Sequence, residues 1–553
     1  MKKSLSAIIV ALQITLGSFF NIAMATAADA PALVPLPMEM KSLSGNFELK
    51  PNTAILVDKD SADAMNVGRQ LAERIKTSAG LDLKISTTDS EGKQSGAIRI
   101  TSKNANASLG AEGYRLEVAP DGIVIVGKDG PGMFYGIQTL MQLLPPQVFS
   151  PTKVTDSIAW TIPAVEIKDQ PRFRWRGMML DESRHFFNKE EVKNFLDLMA
   201  EHKLNTFHWH LVDDNGWRIE IKRYPKLTEV SGWRKGIDFG LDPKASTAYD
   251  KDGRYGGFFT QNDVRELLAY AKARYITIVP EIELPGHSAA ALTAYPEFSC
   301  FGGPYDCDSN RMGIYCIGND TTFEFLENVL SEVIDLFPGK YIHIGGDEVD
   351  KSNWEKCPKC QDRIKQEKLN NVNELQSYCI KRIEKFLNSK GRTLIGWDEI
   401  LEGGLAPNAT VMSWRNVEAG RDSANSGHDV VMTPTSHCYF DYLQATAGEP
   451  RGIGGFIPLQ KVYEFEPVVP GIATDKAKHV MGAAGNLWSE FFPNYAHVQY
   501  MAYPRACAMA ELTWTNPKLK NWDDFKHRLE TQLERLKVQG VNYRAPKKDD
   551  PGF

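Results

Sequence analysis

At 553 residues the chain has room for two to four domains of about 150 residues each. Its 64 Lys and Arg against 70 Asp and Glu leave a formal charge of −6, with no basic run. That removes the electrostatic case for a nucleic-acid or anionic-membrane partner. The chain opens with Met1-Lys2-Lys3, an apolar run from Leu5 to Ala25, and the small-x-small triplet Ala25-Thr26-Ala27. This pattern predicts a Sec-type signal peptide over residues 1–27 and export to the periplasm or the medium. Gln13, Thr15, Gly17, Ser18 and Asn21 interrupt the run and weaken it as a membrane span. Export makes disulfides permissible for the eight cysteines. Cys300, Cys307 and Cys316 fall in a loop-like stretch, and Cys357-Pro358-Lys359-Cys360 is a lone C-x-x-C. A lone C-x-x-C is a weak zinc signal, so a local disulfide is the expectation, all eight cysteines are read as structural, and no metal or cofactor is expected.

Residues 31–165 alternate short apolar strands (Ala54-Val57, Ala97-Thr101, Tyr114-Val118, Gly122-Val126) with helical stretches (Ala62-Ala79, Pro131-Leu144), which predicts a compact α+β domain. Pro145, Pro146, Pro151 and Pro163 punctuate the connection that follows. Over residues 170–515 apolar strands alternate with helix-sized segments. The candidates are Gly177-Leu180, Thr206-Leu211, Thr277-Glu281, Tyr341-Ile344, Thr393-Trp397, Thr410-Trp414, Asp429-Thr433 and Met481-Asn486. Eight such strands predict a (β/α)8 barrel, an α/β fold whose active site forms at the C-terminal ends of the strands. Residues 516–553 carry Trp522, Phe525, Leu529, Leu533 and Leu536 near helical spacing, as expected of an amphipathic helix packed on the barrel.

The strand Tyr341-Ile342-His343-Ile344 runs into Gly345-Gly346-Asp347-Glu348. Glycines weaken a strand unless something must approach its backbone closely. Two adjacent carboxyls in a half-dry cleft do not ionise independently, so similar side chains can serve as acid and base. Trp397, Trp414 and Trp488 stand at three further strand ends. Flat indole walls above a polar floor suit sugars, whose C–H faces stack while their hydroxyls need charged partners.

The segments Leu180-Asp181-Glu182-Ser183-Arg184-His185-Phe186, His208-Trp209-His210-Leu211-Val212-Asp213-Asp214-Asn215-Gly216-Trp217, Pro280-Glu281-Ile282-Glu283-Leu284-Pro285-Gly286-His287, His343 to Glu348 and Leu487-Trp488-Ser489-Glu490 resemble glycoside hydrolase family 20. Members of that family are exo-acting β-N-acetylhexosaminidases. The resemblance runs from about Pro31 to the C-terminus. It implies that Glu348 is the general acid and later the base, and that Asp347 accepts a hydrogen bond from the substrate acetamido N–H. It further implies that Tyr439 donates to the acetamido carbonyl and that Trp397, Trp414 and Trp488 wall the pocket. Arg184, Asp441 and Glu490 would bind the hydroxyls O3, O4 and O6. Asp213 and His287 resemble the family's supporting pair, with Asp214 an alternative to Asp213. In the family the substrate amide is the nucleophile, through an oxazolinium ion and with retention, rather than a second carboxylate across the ring. The implied substrates are β-linked N-acetylhexosamine oligosaccharides or glycoconjugates. One departure is Glu283, where the family commonly has Asp.

Two readings from other classes compete. His208 and His210 share a strand, and with His287, His343 and an Asp they resemble a metal-ligand set, which would make the chain a metallohydrolase. A glycan-binding protein without catalysis is the second, but it has no use for both Asp347 and Glu348.

Overall fold

The computed structural model describes residues 30–89, 93–106, 108–235, 250–308 and 311–550, so the predicted signal peptide lies outside the described residues. The aliphatic runs Ala54–Asp58 (β2), Ala97–Thr101 (β4), Tyr114–Ala119 (β5) and Gly122–Gly127 (β6) pair as strands, where their branched side chains fill the pleat. Glu39–Glu48 (β1), Ile85–Thr88 (β3) and Thr161–Asp169 (β7) complete a seven-stranded sheet in the order β1-β7-β5-β6-β4-β2-β3. These last three were not legible in the sequence. The edge strand β1 is mostly solvent-facing and its register shifts between Ser42 and Asn46, so it has no apolar alternation to read. Within β7, Pro163 lies outside the stretch paired with β5, where its missing N–H costs no bond to that strand.

Two helices, Ala62–Ala79 (α1) and Gly130–Leu143 (α2), pack on each other and on this sheet. Almost every residue of α2 is buried, because its outer side meets the barrel. Tyr135 packs edge-on against Trp514 at 5.1 Å and its hydroxyl accepts from Arg176 at 3.0 Å. A buried polar seam runs alongside: Asp169 accepts from Tyr114 (2.7 Å), Lys203 (2.9 Å) and Trp514 (2.9 Å). Each charge there is matched, as burial demands.

The second half closes into a parallel barrel of eight strands: Trp175–Asp181 (β8), Thr206–His210 (β9), Thr277–Glu281 (β10), Tyr341–His343 (β11), Thr393–Trp397 (β12), Thr410–Ser413 (β13), Val430–Met432 (β14) and Val480–Leu487 (β15). Its strands are buried on both faces, which is why each reads as a short apolar run rather than as an alternation. The fold is therefore a (β/α)8 barrel preceded by a smaller α+β domain. The last helix, Trp522–Val538, buries Phe525, Leu529 and Leu536 but also Arg528, Gln532 and Arg535. Arg528 pairs with Glu511 of the barrel at 2.6 Å, while Arg535 donates to the Gln142 carbonyl of α2 at 2.7 Å. The helix thus docks on the N-terminal domain as well as on the barrel. No helix among the described residues is long and apolar enough to cross a membrane.

Candidate active site

Strand register builds the floor of the site. Asp181, His210, Glu281 and His343 are aligned neighbours at the ends of β8, β9, β10 and β11, all fully buried. Glu281 is the centre of this layer. Its Oε2 lies 2.9 Å from His208 Nε2 and also meets His210 Nδ1, while its Oε1 lies 2.7 Å from His343 Nδ1 and accepts from Trp397 Nε1 at 2.9 Å. Burial disfavours the Glu281 carboxylate, but the imidazoles of His343, His210 and His208 outweigh it and hold the group well below the usual carboxylate range. Burial likewise opposes a charge on His210, yet Glu281 and Asp213 push it up to about 10. His208, His210 and His343 therefore surround a carboxylate in the interior, and only His287 of the four histidines lines the mouth.

From His210 the network climbs toward the cavity. His210 Nε2 meets Asp213 Oδ2 at 2.9 Å, and Asp213 contacts both Arg184 Nη2 (2.8 Å) and His287 Nδ1 (3.1 Å). Asp214 shares the same His287 nitrogen at 3.1 Å, so both aspartates support this imidazole. On the other side, His287 Nε2 stands 3.6 Å from Asp347 and 3.5 Å from Glu348. Burial works against a His287 cation, but Asp213 and Asp214 override it and keep the ring well above its ordinary range. Negative and positive groups alternate from Glu281 to the acid pair, an arrangement in which each charge stabilises the next.

The acid pair itself is asymmetric. Asp347 is 7% exposed and its Oδ1 has no hydrogen-bond partner, whereas the Glu348 side chain is 51% exposed. Burial pushes Asp347 up to about 7, with His287 opposing. The His287 hydrogen bond outweighs partial burial at Glu348 and lowers it. These opposite shifts favour the proton on Asp347 over Glu348. Both Glu348 (φ +47°) and His287 (φ +44°) adopt the left-handed backbone region, which non-glycine residues avoid and which concentrates at functional sites.

Gly345 (φ +66°) is required by its neighbour, since a Cβ there would stand 1.6 Å from Glu283 Oε2. Glu283 fills that space. Burial and the nearby Asp347 push its carboxyl well above the ordinary range.

These residues open onto a cavity of about 280 Å³ lined by Arg184, His287, Asp347, Glu348, Trp414, Tyr439, Asp441, Trp488 and Glu490, with Thr435, Tyr442, Ile453 and Gly454. Trp414 donates to Glu399 at 2.8 Å and stacks with Tyr439, ring centres 6.0 Å apart. Trp488 stands edge-on to His210 at 4.9 Å, with the Arg184 guanidinium over its face at 5.2 Å. Two expected site residues are set back. Asp213 lies behind Arg184 and His287, and Trp397, 1% exposed, lies behind Trp488 at 5.7 Å. Burial raises Asp441 well above its ordinary range, and raises Glu490 despite Arg184. A larger cavity of about 760 Å³ lies at the opposite barrel end, by Trp175, Thr206, Thr277 and Tyr341. Its one carboxylate, Glu112, is paired with Arg176 at 2.8 Å, so it offers no acid pair.

Arg184 joins three carboxylates: Asp181 at 3.1 Å, Asp213 at 2.8 Å and Glu490 at 3.6 Å. A lysine ammonium cannot span such a fork. Arg184→Lys is expected to lower kcat/KM by more than about tenfold, the cost of one charged hydrogen bond. Steady-state kinetics near wild type would assign the guanidinium to the fold alone.

The cysteines depart from expectation. Cys357 and Cys360 do not form a local disulfide; all eight cysteines carry unbridged sulfurs, and these two turn toward Cys300 and Cys316. Cys357 caps the helix Pro358–Gln366 and Cys360 lies in its first turn, so both face the loop packed against that helix.

A barrel mouth that combines one adjacent acid pair, a buried arginine and indole walls defines a sugar-cleaving class of protein. Residues 173–517 match the catalytic domain of glycosyl hydrolase family 20, and residues 30–170 match domain 2 of that family. The chain belongs to glycosyl hydrolase family 20. It is 44% identical over 526 residues to a beta-hexosaminidase of Porphyromonas gingivalis, covering 94% of this chain and 65% of that protein. It thus spans about two thirds of that relative's length. It is 36% identical to a beta-hexosaminidase of Vibrio furnissii, covering 88% of this chain and 77% of the relative. The crystal structure of an exo-beta-N-acetylglucosaminidase from Vibrio harveyi in complex with N-acetylglucosamine superposes with a TM-score of 0.82 at 33% identity, covering 96% of this chain and 80% of that one.

His208, His210 and His343, grouped in the sequence as a possible metal-ligand set, instead converge on Glu281; that convergence and the Glu399 partner of Trp414 were not foreseen. The first had a signal, since each of His210, Glu281 and His343 is the last residue of its strand. Tyr442, Ile453 and Gly454 had none, because they come from an irregular loop.

Proposed function

We propose that the chain is an exo-acting, retaining β-N-acetylhexosaminidase that uses the substrate's own acetamido group as nucleophile. The observation that carries this reading is the pairing of buried Asp347, with a free acceptor oxygen, and half-exposed Glu348 on either side of His287 Nε2. Asp347 Oδ1 accepts the acetamido N–H, which stabilises its charge and sends its proton to the pair's outer member. Burial of Glu348 under the leaving sugar raises its affinity for that proton. Glu348 then protonates the glycosidic oxygen as the acetamido carbonyl, held by Tyr439, attacks the anomeric carbon. The resulting oxazolinium is opened by water, with Glu348 as base. Trp414 and Trp488 enclose the acetamido side, with Trp397 backing Trp488, and Arg184, Asp441 and Glu490 take the ring hydroxyls. A cavity of about 280 Å³ is small beside the roughly 300–1,000 Å³ of typical ligand sites, which suits one terminal sugar and hence exo attack. The relatives, two beta-hexosaminidases and an exo-beta-N-acetylglucosaminidase in complex with N-acetylglucosamine, agree in substrate class.

The test is an aryl β-N-acetylglucosaminide beside the matching β-glucoside, with the first product followed by proton NMR. The N-acetyl substrate is expected to turn over, the 2-hydroxyl analogue to be inert, and the β-anomer to appear first. Initial release of the α-anomer, or a sugar trapped on a protein carboxylate, would overturn the mechanism. Export is part of the proposal, on the pattern of residues 1–27, and cell fractionation tests it.

A further inference from the structure

Four cysteines from three separated stretches meet at one point. Cys300 Sγ lies 3.8 Å from Cys360 Sγ, and Cys316 Sγ lies 3.8 Å from Cys357 and 3.7 Å from Cys360. All four sulfurs fall within 4.8 Å of one another. Cys316, Cys357 and Cys360 are buried and Cys300 is partly exposed. We propose that Cys300, Cys316, Cys357 and Cys360 form a tetrahedral thiolate site for a structural zinc ion. A zinc–sulfur bond of about 2.3 Å sets the edge of an S₄ tetrahedron at about 3.8 Å, the spacing seen here. Cys316 is equally near two partners and so is Cys360. That is the pattern of ligands around a common centre, whereas disulfides would sort the sulfurs into exclusive pairs.

The surrounding chain is built to hold this geometry. Ser299 and Tyr315 form an antiparallel bridge, and Cys316 N–H donates to the Phe298 carbonyl at 2.8 Å, which sets Cys300 beside Cys316. Gly318 lies against the start of the helix Pro358–Gln366, where a Cβ would come 2.1 Å from the Lys359 backbone. Trp354 Nε1 donates to the Tyr315 carbonyl at 2.9 Å, closing the same two segments on each other. The other four cysteines stand apart from this cluster; Cys507, for instance, meets His202 at 3.4 Å.

The cluster ties the loop after β10, which carries His287, to the segment after β11, which carries Asp347 and Glu348. A metal there would brace two loops whose catalytic contact, His287 Nε2 to Glu348, is 3.5 Å. The cluster itself lies outside the sugar cavity.

The test is the metal and thiol content of the full chain, purified without chelator or reductant. About one zinc per chain is expected, with the four thiols titrating only after denaturation in the presence of a chelator. Cys300→Ser and Cys357→Ser are expected to cut bound zinc at least tenfold, whereas Cys379→Ser, a buried cysteine outside the cluster, keeps it. Cobalt exchanged into the wild-type chain is expected to show thiolate-to-metal charge-transfer absorption, a readout independent of any variant's folding. Four thiols that titrate only after reduction would mean two disulfides and overturn the proposal. So would bound iron, or free thiols that take up neither zinc nor cobalt.

Discussion

Glu348→Gln is expected to lower turnover of a β-linked N-acetylhexosamine disaccharide by about 10²- to 10⁴-fold, the usual worth of a positioned general acid, or roughly 3 to 5.5 kcal/mol. The amide is close in shape, so the pocket and its contact with His287 survive while the transferable proton is lost. An activated aryl glycoside departs without protonation and should lose much less. In the wild type, disaccharide turnover is expected to fall as pH rises past about 7, the value to which burial pushes Asp347, because above it neither carboxyl of the free enzyme holds a proton to pass to the leaving sugar. The aryl substrate should show a shallower fall. Equal losses on both substrates, or identical alkaline limbs, would remove Glu348 from the acid role.

Asp347→Asn is expected to make the protein less active and more stable at once. Turnover should drop by about 10²- to 10³-fold, since a neutral amide stabilises the developing positive charge less well than a carboxylate. The stability effect has the opposite sign. Burial raises Asp347 from 3.8 to about 7, so the unfolded chain ionises first as pH rises. The folded chain then holds the extra proton, and stability declines between about pH 4 and pH 7, by roughly 4 kcal/mol for a shift of about three units. Asparagine carries no such penalty. The melting temperature of the variant should exceed that of the wild type near pH 8 and converge with it near pH 4. A variant that melts lower at both would show that His287 compensates the charge fully.

Much of the barrel was readable because its strands are buried on both faces and read as short apolar runs, several of which end at a charged or aromatic residue. Thr277–Glu281 and Thr393–Trp397 were bounded correctly for this reason. The edge strand β1 was not, because solvent takes one side of it and no apolar pattern is required there. The site followed the same logic. Arg184, Asp347, Glu348, Trp414, Tyr439, Asp441, Trp488 and Glu490 all come to one cavity, as strand ends on a closed parallel barrel must.

The sequence by itself determined which chemical groups reach the mouth, since strand polarity and barrel closure carry every C-terminal end to the same face. Tertiary structure decided what those groups do to one another. Asp347 and Glu348 are adjacent and chemically alike, yet burial pushes the first up while the His287 hydrogen bond lowers the second, so their affinities for a proton part in opposite directions. Glu281 gathers histidines from three strands, and Cys300 meets Cys360 across sixty residues of chain, through register and loop packing that no local pattern records. Charge and coordination depend on distance and dielectric, and both exist only once the chain has folded.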